Sequence, residues 1–287
     1  MIRLVAFDLD GTVLNGTNQA SVATLEVIRA LLDRGIGVAS VSGRNVDRSQ
    51  IPFAEYPEMA AAMYVGSYNG AVVLGPGGDG PRPVLHEERL PREVFLDLVR
   101  YVDDREINYV YCRCEIGEDG IDEVYLSDRE TKMGRAVEAL TGMRYVYDGD
   151  LSRQILSGEL GVPPKIMVLP DLDRLDRTLA DLGRLFDGKI YVAWAKAGRV
   201  EVMHPAVNKS IALNAIAGSM DASMAEVLAV GDGNNDLPML REAGVGVLMG
   251  DADAATRQAV VGSDIRIGRP FTEDGFAAAV RKFALNG

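Results

Sequence analysis

Two carboxylates one residue apart, Asp8 and Asp10, follow the short apolar run Ile2-Arg3-Leu4-Val5-Ala6-Phe7, and Gly11 comes directly after them. The run reads as a buried strand. An isolated carboxylate in apolar surroundings costs many kcal/mol, so acids at such a strand end call for a cation. A hard divalent ion such as Mg²⁺ suits oxygen ligands. Gly11 permits the sharp turn that brings backbone and both side chains round one point. A surface turn or part of a Ca²⁺ loop also fits D-x-D-G. The Ca²⁺ alternative loses ground because Thr12-Val13-Leu14 continues apolar and no Glu stands at the loop's twelfth position.

A second acid-bearing turn comes from the other end of the chain. Residues 227–230 read as a buried strand ending in GDGNNDLPML, which puts Asp232, Asn235 and Asp236 on the turn. Like charges gathered at one edge repel unless a cation binds between them. Shortly before it, Val207-Asn208-Lys209-Ser210 opens a helix over 211–217. A lysine there opposes the helix dipole and wants an anion nearby, although an ordinary solvated lysine fits the same pattern. Ser42-Gly43-Arg44 follows the apolar run 36–41 and offers a hydroxyl and backbone N–H groups suited to phosphate oxygens. A plain polar turn before a helix is the other reading of that tripeptide.

The elements that must position these residues begin with a βα rhythm. Residues 21–34 carry Val22, Leu25, Ile28, Leu31 and Leu32 on one helical stripe, with Gly35 as the stop. Strand, helix, strand is a βαβ unit, and its crossover implies a parallel sheet. Asp8, Asp10 and the Ser42-Gly43 turn then share the edge where open α/β sheets hold ligands. Ser67-Tyr68-Asn69-Gly70 is a hairpin signature, adequately explained as a structural turn. The stretch GPGGDGPRP, 75–83, is a domain boundary or a hairpin extension. From about 84 to 196 the pattern changes to strands over 107–116, 124–126, 164–169 and 189–195, with helices over 91–104 and 172–185. That is an α+β arrangement. The expected fold is α/β: a doubly wound, Rossmann-like parallel-sheet core, 1–80 and 197–287, with an inserted α+β cap, 81–196.

Composition narrows the function. Apolar residues at 47% and charged ones at 25% are ordinary for a soluble globular protein. The apolar runs are too short to span a bilayer and no signal-peptide pattern opens the chain, which favours the cytoplasm. A formal charge of -12 argues against nucleic acid and against anionic membranes as partners. Cys112 and Cys114, the only cysteines, alternate along a strand and read as structural thiols. The two histidines, His86 and His204, are remote in sequence, so zinc binding and histidine catalysis are poorly supplied.

In order along the chain stand DLDGT at 8–12, VSGR at 41–44, YNGA at 68–71, VNKS around Lys209, GDGNNDLPML from Gly231 and TEDG at 272–275. This ordered set resembles the haloacid dehalogenase superfamily, specifically its Cof-like branch, subfamily IIB. Ser210 replaces a usual glycine and Asn45 a usual proline. The resemblance implies Mg²⁺-dependent hydrolysis of a small phosphate monoester, a sugar phosphate or similar metabolite, through an aspartyl-phosphate. Asp8 would be the nucleophile and Asp10 the acid and base. Mg²⁺ would take the carboxylates of Asp8 and Asp232 and the backbone carbonyl of Asp10, with Asp236 in support. Leu9, Ser42, Gly43, Lys209 and Asn235 would hold phosphoryl oxygens, and Lys209 would also neutralise charge during catalysis. The cap would close over the site, hinged near 75–83 and 196–198, and choose the substrate. A phosphomutase on the same core and a non-catalytic phosphometabolite-binding protein remain alternatives, as a monomer or small homo-oligomer.

Overall fold

Leu4–Phe7, all four fully buried, form strand β1. Alternation sends Val5 and Phe7 into one apolar cluster and Leu4 and Ala6 into another on the opposite face. Helix Val22–Asp33 meets the first face through Val27, Ile28 and Leu31, and Phe276 packs edge-on against Phe7 at 4.9 Å. Helix Lys209–Ser219 meets the second face through Ala212, Leu213 and Ile216. Burying each large side chain of this kind contributes about 1.5–3 kcal/mol. A strand apolar on both faces belongs in a parallel sheet covered by helices on both sides.

The computed structural model describes residues 1–286 except 15, 17, 79, 119, 196 and 197; the side chains of 194 and 195 also lie outside the description. The strands after β1 are β2 (Gly37–Val41), β3 (Tyr64–Ser67), β4 (Val72–Leu74) and β5 (Val84–Glu87). Then come β6 (Asn108–Gly117), β7 (Gly120–Ser127), β8 (Tyr145–Tyr147), β9 (Lys165–Leu169), β10 (Tyr191–Ala195) and β11 (Arg199–Met203). The last are β12 (Val227–Gly231), β13 (Val245–Leu248) and β14 (Arg266–Ile267).

The first sheet has the order β14-β13-β12-β1-β2-β3-β4-β5, parallel from β14 to β3 and antiparallel through β4 and β5. The chain steps outward from β1 to β3 on one side and from β12 to β14 on the other. This is the doubly wound arrangement expected, and strand order reverses between β1 and β12. Phe7 lies opposite Val230 there, so both acid-bearing turns leave neighbouring strand ends. Among the described residues no helix is long and apolar enough to cross a membrane.

The second sheet has the order β10-β11-β9-β6-β7-β8, antiparallel apart from the β7–β8 pair. Tyr109, Tyr111, Ile166 and Val168 join an apolar cluster with Phe95, Leu98 and Val99 of helix Arg92–Asp104 and Leu182 of helix Leu175–Leu185. Cys112 and Cys114, on β6, are both buried, and no disulfide joins them.

The chain divides into two compact units, 1–87 with 208–287, and 88–207. Both limits differ from the sequence expectation. β5 pairs antiparallel with β4, so 81–87 stay with the first sheet and the described residues of 75–83 belong to a hairpin extension. Arg82 fastens it by donating to Met63 O at 2.7 Å, Gly75 O at 2.9 Å and Ala60 O at 2.5 Å. A hinge at 75–83 therefore does not join the two units, and of the other expected hinge, 196–198, residues 196 and 197 lie outside the described residues. β11 pairs with β9 and β10, which keeps 199–203 in the second unit rather than the core.

Candidate active site

Asp8 directly follows β1, and its N–H donates to Val230 O at 3.0 Å, carrying the sheet one residue further. The turn after it is closed by Val13 and Leu14, whose N–H groups donate to Leu9 O at 3.1 and 2.9 Å. Gly11 has φ +83°, and a Cβ there would stand 2.4 Å from Asp232 Oδ2, so only glycine fits. Thr12 Oγ1 donates to Asp232 Oδ1 at 3.1 Å, linking the two turns.

The second turn is organised by Asp236, which is fully buried. Its Oδ2 accepts the N–H groups of Asp232 at 2.9 Å and Gly233 at 2.8 Å. Its Oδ1 accepts from Lys209 Nζ at 2.5 Å, and the same ammonium donates to Asp8 Oδ1 at 2.6 Å. Lys209 is the first residue of its helix, capped by Asn208, whose Oδ1 accepts from Ser210 N at 2.9 Å. The lysine is fully buried and finds the anions that its place at a helix start demands.

Burial raises Asp8 above the usual carboxylate range, to about 8; Lys209 pulls it down, while Asp236 and Asp232 push it up. Burial, with Asp236, likewise lifts Asp232 to about 6, against the Thr12 hydrogen bond and Lys209. Burial works against the Lys209 charge, but Asp236 and Asp8 outweigh it and hold the ammonium above its ordinary range. Three acids thus face one ammonium, a shortage of positive charge. One oxygen from each of Asp8, Asp232 and Asp236 lies within 4.8 Å of the others. An all-oxygen donor set short of positive charge fits a hard divalent cation. Because Asp236 already uses both oxygens, Asp8 and Asp232 are the readier ligands.

The profile of the haloacid dehalogenase-like hydrolases matches residues 5–261 of this chain. The chain belongs to that family. It is 28% identical over 253 residues to the HMP-PP phosphatase of Cronobacter sakazakii, covering 88% of this chain and 85% of that protein. The HMP-PP phosphatase of Escherichia coli O1:K1 is likewise 28% identical over 260 residues, with coverage of 88% and 85%. A crystal structure from Thermotoga maritima superposes with a TM-score of 0.83 at 25% identity, covering 99% of this chain and 98% of that one. A subclass IIB sugar phosphatase of the superfamily shares the fold, with a TM-score of 0.72 at 18% identity and 99% coverage of both chains.

In this haloacid dehalogenase-like chain the remaining expected site residues fall in two places. Ser42 is buried, with its N–H on Gly66 O at 2.8 Å. Asn69, in the left-handed region at φ 56°, donates its N–H to Ser42 O at 2.9 Å and accepts from Asn235 Nδ2 at 3.2 Å. A Cβ on Gly43 would lie 3.3 Å from the same Asn69 oxygen, so Ser42, Gly43 and Asn235 converge around Asn69. Leu9 is fully buried in the first turn. The Asp10 carboxylate does not join the acid cluster: it is exposed and paired with Arg44. Sequence reasoning gave no site role to Thr12, Arg44 or Asn69. Asn-Gly reads fully as a hairpin turn, and S-G-R offers either phosphate-binding groups from Ser42 and the backbone or a plain polar turn, so neither carried a signal of the Asn69 and Arg44 side-chain contacts.

Proposed function

We propose that this protein is a Mg²⁺-dependent phosphatase acting on a small phosphorylated metabolite through an aspartyl-phosphate on Asp8. The observation that carries the reading is the Lys209 ammonium bridging Asp8 and Asp236 beside Asp232, at the strand-order reversal. Lys209 holds Asp8 by Oδ1, and among the described residues Oδ2 accepts no hydrogen bond. Oδ2 is free to attack phosphorus in line, forming an O–P bond as the ester P–O bond breaks. Asp10 gives a proton to the departing alcohol oxygen, then takes one from the water that attacks phosphorus. That second step breaks the bond to Asp8, releases inorganic phosphate and restores the carboxylate.

Mg²⁺, held by Asp8, Asp232 and the Asp10 backbone carbonyl with Asp236 in support, would supply positive charge that lets an anionic nucleophile approach an anionic ester. Ser42, Gly43, Asn235 and the backbone at Leu9 hold the phosphoryl oxygens, and Lys209 neutralises charge as it builds. We assign the choice of substrate to the inserted unit, 88–207, and the protein's place of action to the cytoplasm. The relatives named HMP-PP phosphatase and sugar phosphatase set the first compounds to try. The test is phosphate release from a panel of sugar phosphates, HMP-PP and an aryl phosphate, with Mg²⁺ and with excess chelator. Release with Mg²⁺ alone supports the reading; no release from any compound, or equal release in chelator after exhaustive metal removal, overturns it.

A further inference from the structure

Arg44 carries a guanidinium that spans the loops after β1 and β2. Its Nε donates to Asp10 Oδ2 at 2.7 Å and its Nη2 to Asp10 Oδ1 at 2.5 Å, a two-point fork. The third nitrogen, Nη1, donates to Asn18 Oδ1 at 2.5 Å and to Arg48 O at 3.3 Å. The backbone is anchored as well: Arg44 N–H donates to Ser42 Oγ at 3.3 Å, and Arg44 O accepts from Tyr68 N–H at 2.9 Å. All three guanidinium nitrogens are thus committed, and the side chain is only 13% exposed.

Asp10 is in the opposite situation. Its side chain is 62% exposed, and among the described residues Arg44 supplies the only hydrogen bonds its carboxylate accepts. An exposed carboxylate with one partner takes its direction from that partner. Arg44 is held by four others, two through its guanidinium and two through its backbone, so orientation runs from Arg44 to Asp10 and not the reverse. Lysine could match the charge but not the geometry, because an ammonium offers a point contact where a guanidinium offers a rigid planar fork.

We propose that Arg44 is the positioning residue for Asp10, fixing the carboxylate that transfers protons in the hydrolysis proposed above. Arg44 itself touches neither the nucleophile nor the acid cluster. With both carboxylate oxygens engaged, one arm of the fork must open each time Asp10 gives or takes a proton. The effect of losing Arg44 therefore falls on turnover and not on substrate binding. It is largest in the second step, where water needs a base and no good leaving group can relieve the demand. The inference rests on the phosphatase reading, because without proton transfer at Asp10 the fork has nothing to position.

The test compares the parent with Arg44→Lys, Arg44→Ala, Asp10→Asn and the Asp10→Asn/Arg44→Ala double variant. The substrate is an aryl phosphate with Mg²⁺, and thermal melts verify that each variant is folded. Proton transfer by a side chain is worth about 10²–10⁴-fold, so mispositioning should cost part of that, about 10–100-fold in kcat, for both single Arg44 variants. KM should stay within about twofold, since the loss falls on steps after binding. Acid-quenched Arg44→Ala should hold phosphoenzyme, and added guanidinium at millimolar levels should restore part of its turnover. If Arg44 works only through Asp10, removing it from Asp10→Asn should have no further effect. An unchanged kcat in a folded Arg44→Ala, an effect confined to KM, or additive losses in the double variant would each overturn the proposal. A parent that releases no phosphate overturns the phosphatase reading itself, and this inference with it.

Discussion

Lys209 Nζ donates to Asp8 Oδ1 at 2.6 Å across 201 residues of chain, and the same nitrogen reaches Asp236. The buried lysine could not stay charged at this depth without the two carboxylates. The three side chains form one electrostatic unit at the reversal between β1 and β12.

Removing the ammonium should therefore damage the fold as well as activity. Breaking a buried ion pair by deleting one partner is worth about 3–5 kcal/mol. Lys209→Met should lose about that much stability at pH 8 by urea unfolding and retain no measurable turnover. The deficit should shrink on acidification. An acid whose folded pKa is raised, as burial does to Asp8, loses stability as pH climbs from its unfolded value near 4 toward its folded value near 8. A deficit that grew as pH fell would contradict this.

Metal binding should release protons. With Asp8 raised to about 8 and Asp232 to about 6, the metal-free site holds protons at pH 6 that a cation must displace. Mg²⁺ affinity should rise between pH 6 and pH 8 and level off above. Calorimetry in two buffers of different ionisation enthalpy should give different apparent heats at pH 6.5 and converging heats at pH 9. Buffer-independent heats at pH 6.5 would count against the protonated apo site.

Gly11→Ala should affect both stability and the site. Its φ of +83° strains any side chain by about 1–3 kcal/mol, and the new methyl would push on Asp232 Oδ2. Unfolding midpoints should fall accordingly, and Mg²⁺-supported activity should fall further than global stability explains. Parent-like activity in the folded variant would mean that Asp232 tolerates displacement.

The Cys112 thiol, pushed up to about 12 by burial, should be inert in the native protein. An aromatic disulfide reagent at pH 8 should titrate almost no thiol before denaturation and two per chain after it. Rapid native labelling would place Cys112 outside its sheet.

How far the sequence carried depended on how local each signal was. β1, the helix Val22–Asp33 and β2 follow from period and punctuation alone, so the parallel unit and the shared edge of the acid turns were legible. Lys209 announced its need for an anion through its place at a helix start, although which carboxylates would answer was a matter of tertiary structure. The unit limits were misplaced because β5 and β11 are assigned by pairing with distant strands and not by composition. Helices Lys132–Thr141 and Leu151–Ser157 went unread. Each is short and ends on a left-handed glycine, and Gly134 interrupts the first. The Arg44–Asp10 fork joins residues 34 apart on two turns, and no period in the sequence relates them.

The central claim is that Asp8 carries the phosphoryl group and Asp10 serves the proton transfers. Intact-protein mass spectrometry after mixing with aryl phosphate and Mg²⁺ and quenching in acid tests it most directly. Asp10→Asn keeps the nucleophile and the backbone carbonyl but lacks the base for water. With a leaving group that departs without protonation, it should accumulate one phosphoryl group per chain. Asp8→Asn should show no adduct and only background turnover. An Asp8→Asn protein that forms the adduct, or turns over comparably to the parent, would contradict the account.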